Sequence, residues 1–205
     1  MYYDKKELIL KQVKRSDIVL DVGFLGQGIQ KGNKDWPHAL LKERAKEVYG
    51  VDLMLTEDYK NNSHYSESGA ENFSFPVKFD LIIAGDLIEH LSNPGLFLDA
   101  CRKQLTPGGR LLLTTPNTFN LFNMAEKLMK REPTVNSDHT FYFNSKTLRK
   151  LLEKNGFKTT EVSFLYTLGY DYQESWKKKV LNALYWFLAK FTDKFVETLV
   201  VVATP

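Results

Sequence analysis

Short apolar runs recur along this chain, separated by stretches whose apolar residues return at helical spacing. IVLDV (18–22), FDLIIAGD (79–86) and RLLLTTP (110–116) are dense in aliphatic residues and stop at glycine, acid or proline. Runs of that kind suit strands covered on both faces. EVYGVDL (47–53) predicts a further strand, and FKTTEVSFL (157–165) and FVETLVVVA (195–203) predict two late ones. Helices are expected over 8–13, from an Asp35 cap with Pro37 in the first turn to about 46, over 95–105, 121–130 and 145–155, and over 175–190. Gly156 ends the helix before it, and TPGG (106–109) reads as a turn. The polar stretch 56–68 reads as loop with room for a short edge strand.

Strands alternating with helices predict an α/β fold: a doubly wound, mostly parallel sheet with helices on both faces. The last two strands break that rhythm, and a C-terminal antiparallel pair explains them. One domain over 1–205 accommodates everything.

Composition narrows the function classes only slightly. The chain has 205 residues, 43% hydrophobic and 26% charged, with net charge +3. So mild a balance argues neither for nor against nucleic acid, which usually leaves a clustered basic face, and nucleic acid is not the expected partner. Cys101 is the only cysteine, which excludes an internal disulfide and a multi-thiolate zinc cage; its apolar neighbours Phe97, Leu98 and Leu105 make it a buried structural thiol. The charged N-terminus has no signal-peptide core and no run nears the ~20 apolar residues of a membrane span, so a cytoplasmic protein is expected. Apolar positions interleaved with lysines over 175–195 read as a core helix, with a membrane-surface face as the alternative.

The chemistry begins in VGFLGQG (22–28). Ligands of doubly wound sheets sit at the carboxyl ends of the strands, where strand order reverses. Gly23, Gly26 and Gly28 let the backbone turn sharply and let a ligand approach the main chain. Asp52 closes the second strand, where a carboxylate can accept both ribose hydroxyls. A nucleoside-containing cofactor follows. NAD sites favour G-x-G-x-x-G opening directly into a helix, whereas here the order is G-x-x-G-x-G and IQKGNKD intervenes. Asp21, poor company for a diphosphate, suits the cationic amino acid end of S-adenosylmethionine.

On these motifs the chain resembles class I S-adenosylmethionine-dependent methyltransferases, in the subgroup of ubiquinone-pathway and other small-molecule or glycan methyltransferases. VLDVG…GQG is similar to their first motif, VYGVDL to their ribose-binding strand end, and FDLIIAGDLIEHL to their fourth strand. CRKQLTPGGRLLLTTPN and FNSKTLRKLLEKNGF are similar to the segments that follow. The resemblance implies the Rossmann-like class I methyltransferase fold, with S-adenosylmethionine bound and S-adenosylhomocysteine released. It implies that Asp21, Val22, Gly23 and Gly26 lie at the methionine portion and that Asp52 holds the ribose. Leu53 and Ala70 would border the adenine, and Ala84, Gly85 and Asp86 the sulfonium side. Two features depart from the family. The glycine turn is one residue longer than G-x-G-x-G, and Gly69 stands where an adenine-reading aspartate is common.

For an oxygen acceptor, His90 and His139 are the candidate bases, histidine being poised near neutral pH. The alternatives are a helix start that orders the cofactor loop for His90 and lid packing for His139. Asp86, Glu89, His90 and His139 could instead ring Mg²⁺ or Mn²⁺, as in the acid-x-x-Glu-His pattern of some relatives; Glu89 and Asp86 as helix caps are the plainer reading, and no metal ligand is assigned. The expected activity is methyl transfer to a small-molecule or glycan acceptor, at oxygen. A methyltransferase-like binding module and an RNA 2′-O-methyltransferase are the alternatives.

Overall fold

The computed structural model describes residues 2, 4–26, 36–129, 132, 136–166, 187 and 195–205. The elements run α1 (Lys5–Gln12), β1 (Ile18–Val22), α2 (Pro37–Arg44), β2 (Glu47–Asp52), α3 (Glu57–Lys60) and β3 (Tyr65–Glu67). Then come β4 (Phe79–Gly85), a 3₁₀ turn (Ile88–His90), α4 (Pro94–Gln104), β5 (Leu105–Pro116), α5 (Leu121–Leu128), α6 (Ser145–Lys154), β6 (Lys158–Leu165) and β7 (Thr198–Thr204). All seven strands form one sheet in the order β3-β2-β1-β4-β5-β7-β6. The first five strands pair in parallel, and β7 runs antiparallel to both β5 and β6. The fold class read from the strand rhythm is therefore the observed one.

The apolar runs follow from burial on both faces. On β1, Val19 packs with Leu8, Ile9 and Leu41 from α1 and α2. Its neighbour Leu20 packs with Phe97, Leu98 and Leu148 from α4 and α6. The same split divides Leu81 from Ile82, and Leu112 from Leu111 and Leu113. Because successive side chains of a strand point to opposite faces, every position must be apolar when both faces are covered.

Local chemistry moves several ends from their expected places. Asp4 accepts from the Glu7 amide at 2.6 Å, so α1 starts before the expected 8–13 span. α2 stops at Arg44 because Asp17 O accepts from the Lys46 and Glu47 amides and draws the chain into β2; the Asp35 cap lies outside the described residues. The stretch 56–68 carries the edge strand β3 and also a short helix, α3. The TPGG turn is built into β5 as its irregular start, with Gly108 at φ +82° and a register break between Phe79 and Leu81. Asn144 and Thr147 close a capping box on α6, and Gly156 (φ +82°) ends it. The helix expected over 175–190 falls outside the described residues except Phe187. Among the described residues, no helix is long and apolar enough to cross a membrane.

Candidate active site

Strand order reverses between β1 and β4, so the loops leaving these two strands flank one crevice. β1 ends at Val22 and turns through Gly23 (φ +77°) and Gly26 (φ +55°), a left-handed conformation in which a side chain would be strained. Three main-chain groups of the turn are tied down. The Gly23 amide donates to Val51 O at 2.8 Å, the Leu25 amide donates to Asp52 Oδ2 at 3.0 Å, and Trp36 Nε1 donates to Phe24 O at 2.8 Å. The other Asp52 oxygen accepts from the Leu53 amide at 2.8 Å. A carboxylate offers about four acceptor positions, so Asp52 keeps capacity for two hydroxyls.

Leu53 follows, 74% exposed, and its Cδ2 lies 3.9 Å from where a Cβ on Gly69 would stand. Ala70 is half-buried against the core. This corner between β2 and the segment after β3 offers an apolar wall beside Asp52. Val22 and Ala84, near the carboxyl ends of β1 and β4, have their side chains buried in the core. Gly85 is exposed at the end of β4. Asp86 takes φ +48°, and its carboxylate accepts from Thr114 Oγ1 and Lys5 Nζ, both at 3.3 Å. Lys5 thereby ties the start of α1 to the rim beyond β4.

Asp21 is buried, and its Oδ2 lies 3.0 Å from His38 Nδ1 of α2. Nothing in the local sequence signals this partner.

Beyond β4 the structure gathers a polar cluster. Glu89, in the 3₁₀ turn, is 1% exposed; Thr115 Oγ1 donates to its Oε2 at 2.9 Å, and its Oε1 is buried with no hydrogen-bond partner. The segment carrying His139 is pinned to that turn: the Thr140 and Phe141 amides donate to Glu89 O at 2.8 and 3.2 Å, and Thr140 Oγ1 donates to Leu91 O. The His90 and His139 rings then meet edge to face at 4.6 Å. Ligand atoms of Glu89, His90 and His139 all lie within 4.8 Å of one another. The sequence-predicted histidines thus come together, and Asp86 turns away to Thr114 and Lys5. Burial, with the Asp86 charge adding to it, pushes the Glu89 carboxyl up to about 7. Burial and the neighbouring His90 hold His139 below its ordinary value. The sequence pattern offers Glu89 only as a metal ligand or helix cap; its raised pKa comes from burial under a segment far along the chain.

A cavity of about 810 Å³ adjoins the cluster, lined by Thr118, Phe119, Asn123, Met124, Leu128 and Tyr142 among others. Thr118, Asn123 and Tyr142 also line a small recess against Glu89 and His139, so the recess and the cavity share a wall.

A family model described as a methyltransferase domain matches residues 4–162. The chain belongs to that methyltransferase domain family. Curated relatives include the ubiquinone biosynthesis O-methyltransferase of Nitrobacter winogradskyi, 30% identical over 58% of this chain and 45% of that protein. The enzyme of the same name from Azoarcus sp. is 26% identical over 71% of this chain and 66% of that protein. The chain therefore spans about half to two thirds of the length of these relatives. Among solved structures, a SAM-dependent methyltransferase from Archaeoglobus fulgidus superposes with TM-score 0.62 at 20% identity, covering 98% of this chain and 92% of that one. Magnesium protoporphyrin IX methyltransferase from Synechocystis, solved with bound SAH, gives 0.57 at 15% identity over 96% and 77%. The fold is that of the class I S-adenosylmethionine-dependent methyltransferases.

Proposed function

We propose that this chain transfers a methyl group from S-adenosylmethionine to an oxygen of a small-molecule acceptor. The observation that carries the reading is the Glu89–His90–His139 cluster, which stands at the carboxyl end of β4 in a methyltransferase-family fold and lies beside an apolar cavity. The curated relatives' names, O-methyltransferases of ubiquinone biosynthesis, support oxygen as the accepting atom.

The glycine turn and Asp52 fit the cofactor: a positive-φ glycine leaves a bare main chain to meet it, and a carboxylate with spare acceptor positions suits a ribose diol. In this reading the Gly23–Gly26 main chain and that of Val22 meet the methionine portion. Asp52 holds the ribose, Leu53 and Ala70 flank the adenine, and Ala84, Gly85 and Asp86 border the sulfonium. Asp21, joined to His38, acts from behind the turn. When bound, the cofactor supplies a methyl on a sulfonium, which is displaced in line with no proton needed by the leaving group.

The chain's own work is to orient the acceptor and take its proton. The cavity receives the acceptor's apolar body with its hydroxyl toward Glu89 and His139. Glu89 Oε1, with no other partner and a pKa near neutrality, is the base, and the two histidines position the hydroxyl and share the proton. Glycan acceptors fit the predominantly apolar lining less well. Titration calorimetry with S-adenosylhomocysteine tests the reading first: micromolar binding is expected. Absence of binding, or of methyl transfer to any phenol or alcohol in a labelled-donor screen, overturns it.

A second use of the same groups is favoured by one observation, the convergence of one carboxylate and two imidazoles with an orphaned buried oxygen. Glu89, His90 and His139 fit a divalent cation such as Mn²⁺ or Mg²⁺, which would lower the pKa of a bound acceptor hydroxyl. The expected signature is a rise in Tm with Mn²⁺ that His139→Ala abolishes, and an unmoved Tm excludes the site.

A further inference from the structure

The extra residue in the glycine turn has a structural answer. Phe24 does not point into the crevice; it is 2% exposed and lies in an aromatic box of Trp36, His38, Tyr59 and Tyr65. Gly50 of β2 makes the room. A Cβ there would stand 2.7 Å from the Phe24 ring and 2.8 Å from Tyr65, so the two rings reach the strand only because position 50 is bare.

At the centre of the box His38 is wholly buried, and both ring nitrogens are used. Nδ1 lies 3.0 Å from Asp21 Oδ2, and Nε2 lies 3.0 Å from the Tyr65 hydroxyl. Because Asp21 is an acceptor, Nδ1–H donates to it, and Nε2 and the Tyr65 hydroxyl share the second hydrogen bond. That arrangement fixes the imidazole plane, on which the Phe24 ring rests at 4.7 Å between centroids. The row Asp21–His38–Tyr65 joins β1, α2 and β3. The Trp36 bond to Phe24 O then fixes the turn's main chain from the same side.

We propose that His38 is a positioning residue for cofactor binding: clamped between Asp21 and Tyr65, it holds Phe24 and so gives the lengthened turn the shape that Gly23 and Leu25 present to the cofactor. The inference rests on the cofactor reading above for its consequence, but its structural half stands apart from any ligand. A rigid turn binds without first being ordered, whereas a loose one loses affinity to the entropy of ordering. His38 touches neither methyl nor acceptor, so its loss leaves the chemical step alone.

Amide hydrogen exchange on the ligand-free protein is the decisive experiment, comparing Gly23 and Leu25 with Val200 in β7, whose exchange reports the stability of the whole sheet. In His38→Gln, exchange at Gly23 and Leu25 should rise at least about tenfold more than at Val200. In parallel, KM for S-adenosylmethionine should rise about tenfold or more at unchanged saturating kcat. Tyr65→Phe, which keeps the ring and removes only the hydroxyl, should shift the same amides in the same direction if His38→Gln does not fold. Turn amides that stay unchanged, or that rise only in step with Val200, overturn the proposal and leave His38 as core packing. A wild-type protein that binds no S-adenosylhomocysteine sinks the cofactor reading, while the exchange comparison still decides the clamp.

Discussion

Glu89→Gln should abolish most methyl transfer while making the protein more stable at alkaline pH. Glutamine keeps the shape and an acceptor for Thr115 Oγ1, which bonds Glu89 Oε2 at 2.9 Å, but it cannot take a proton. Loss of a general base lowers kcat/KM by about 10²- to 10⁴-fold. In the wild type, kcat/KM should climb as pH rises through about 7, where the buried carboxyl ionises, and the variant should lose that limb. Stability runs the other way. The folded-state pKa of Glu89 lies above its ordinary 4.5, so the native state holds its proton more tightly than the unfolded chain does. The favourable effect of that retained proton is complete below about pH 4.5 and is lost as pH rises through about 7. At pH 8 the wild type therefore carries a buried charge that the variant lacks. At about 1.4 kcal/mol per pKa unit the shift caps the gain near ~3 kcal/mol, and the amide's own need for a partner reduces it. A rise of about 5 °C in Tm at pH 8, with none at pH 4, is expected in EDTA. Equal Tm differences at both pH values would show that Glu89 is not the shifted group.

Asp52→Ala should weaken S-adenosylhomocysteine binding by at least about 100-fold, because two hydrogen bonds to a charged acceptor are each worth about 1.5–3 kcal/mol. Part of the loss arises without any ribose, since Asp52 Oδ2 also accepts from the Leu25 amide and holds the glycine turn against β2. Asp52→Asn separates the two effects. Its carbonyl oxygen can keep the Leu25 bond while the charge toward the ribose is gone, so an intermediate affinity is expected by titration calorimetry. Affinity within threefold of wild type for Asp52→Ala would move the ribose elsewhere.

The two departures from family pattern read differently once the chain is folded. The lengthened turn reads in sequence as an uncertainty about which glycine meets the cofactor. In the structure Phe24 of that turn packs against His38, and Gly23 and Gly26 both take positive φ. Gly69 reads as a missing adenine contact, and the structure puts an exposed Leu53 beside it.

What the sequence by itself determined is local and periodic. Runs such as FDLIIAG must bury both faces, and a strand followed by glycine must turn, so the class of fold and a crevice at the end of β1 are legible without coordinates. The candidate bases were legible as residue types. Tertiary structure decided which of them act together. Glu89 and His139 lie in different segments, and they meet only because Thr140 and Phe141 donate to the Glu89 carbonyl. Asp21 reads in sequence as an acid suited to the cofactor's cationic end, and the fold adds a partner for it, His38, brought over it by α2. Periodicity fixes which way a side chain points, whereas its partner depends on what packs there from elsewhere in the chain, and burial under that distant segment is what shifts a carboxyl to neutrality.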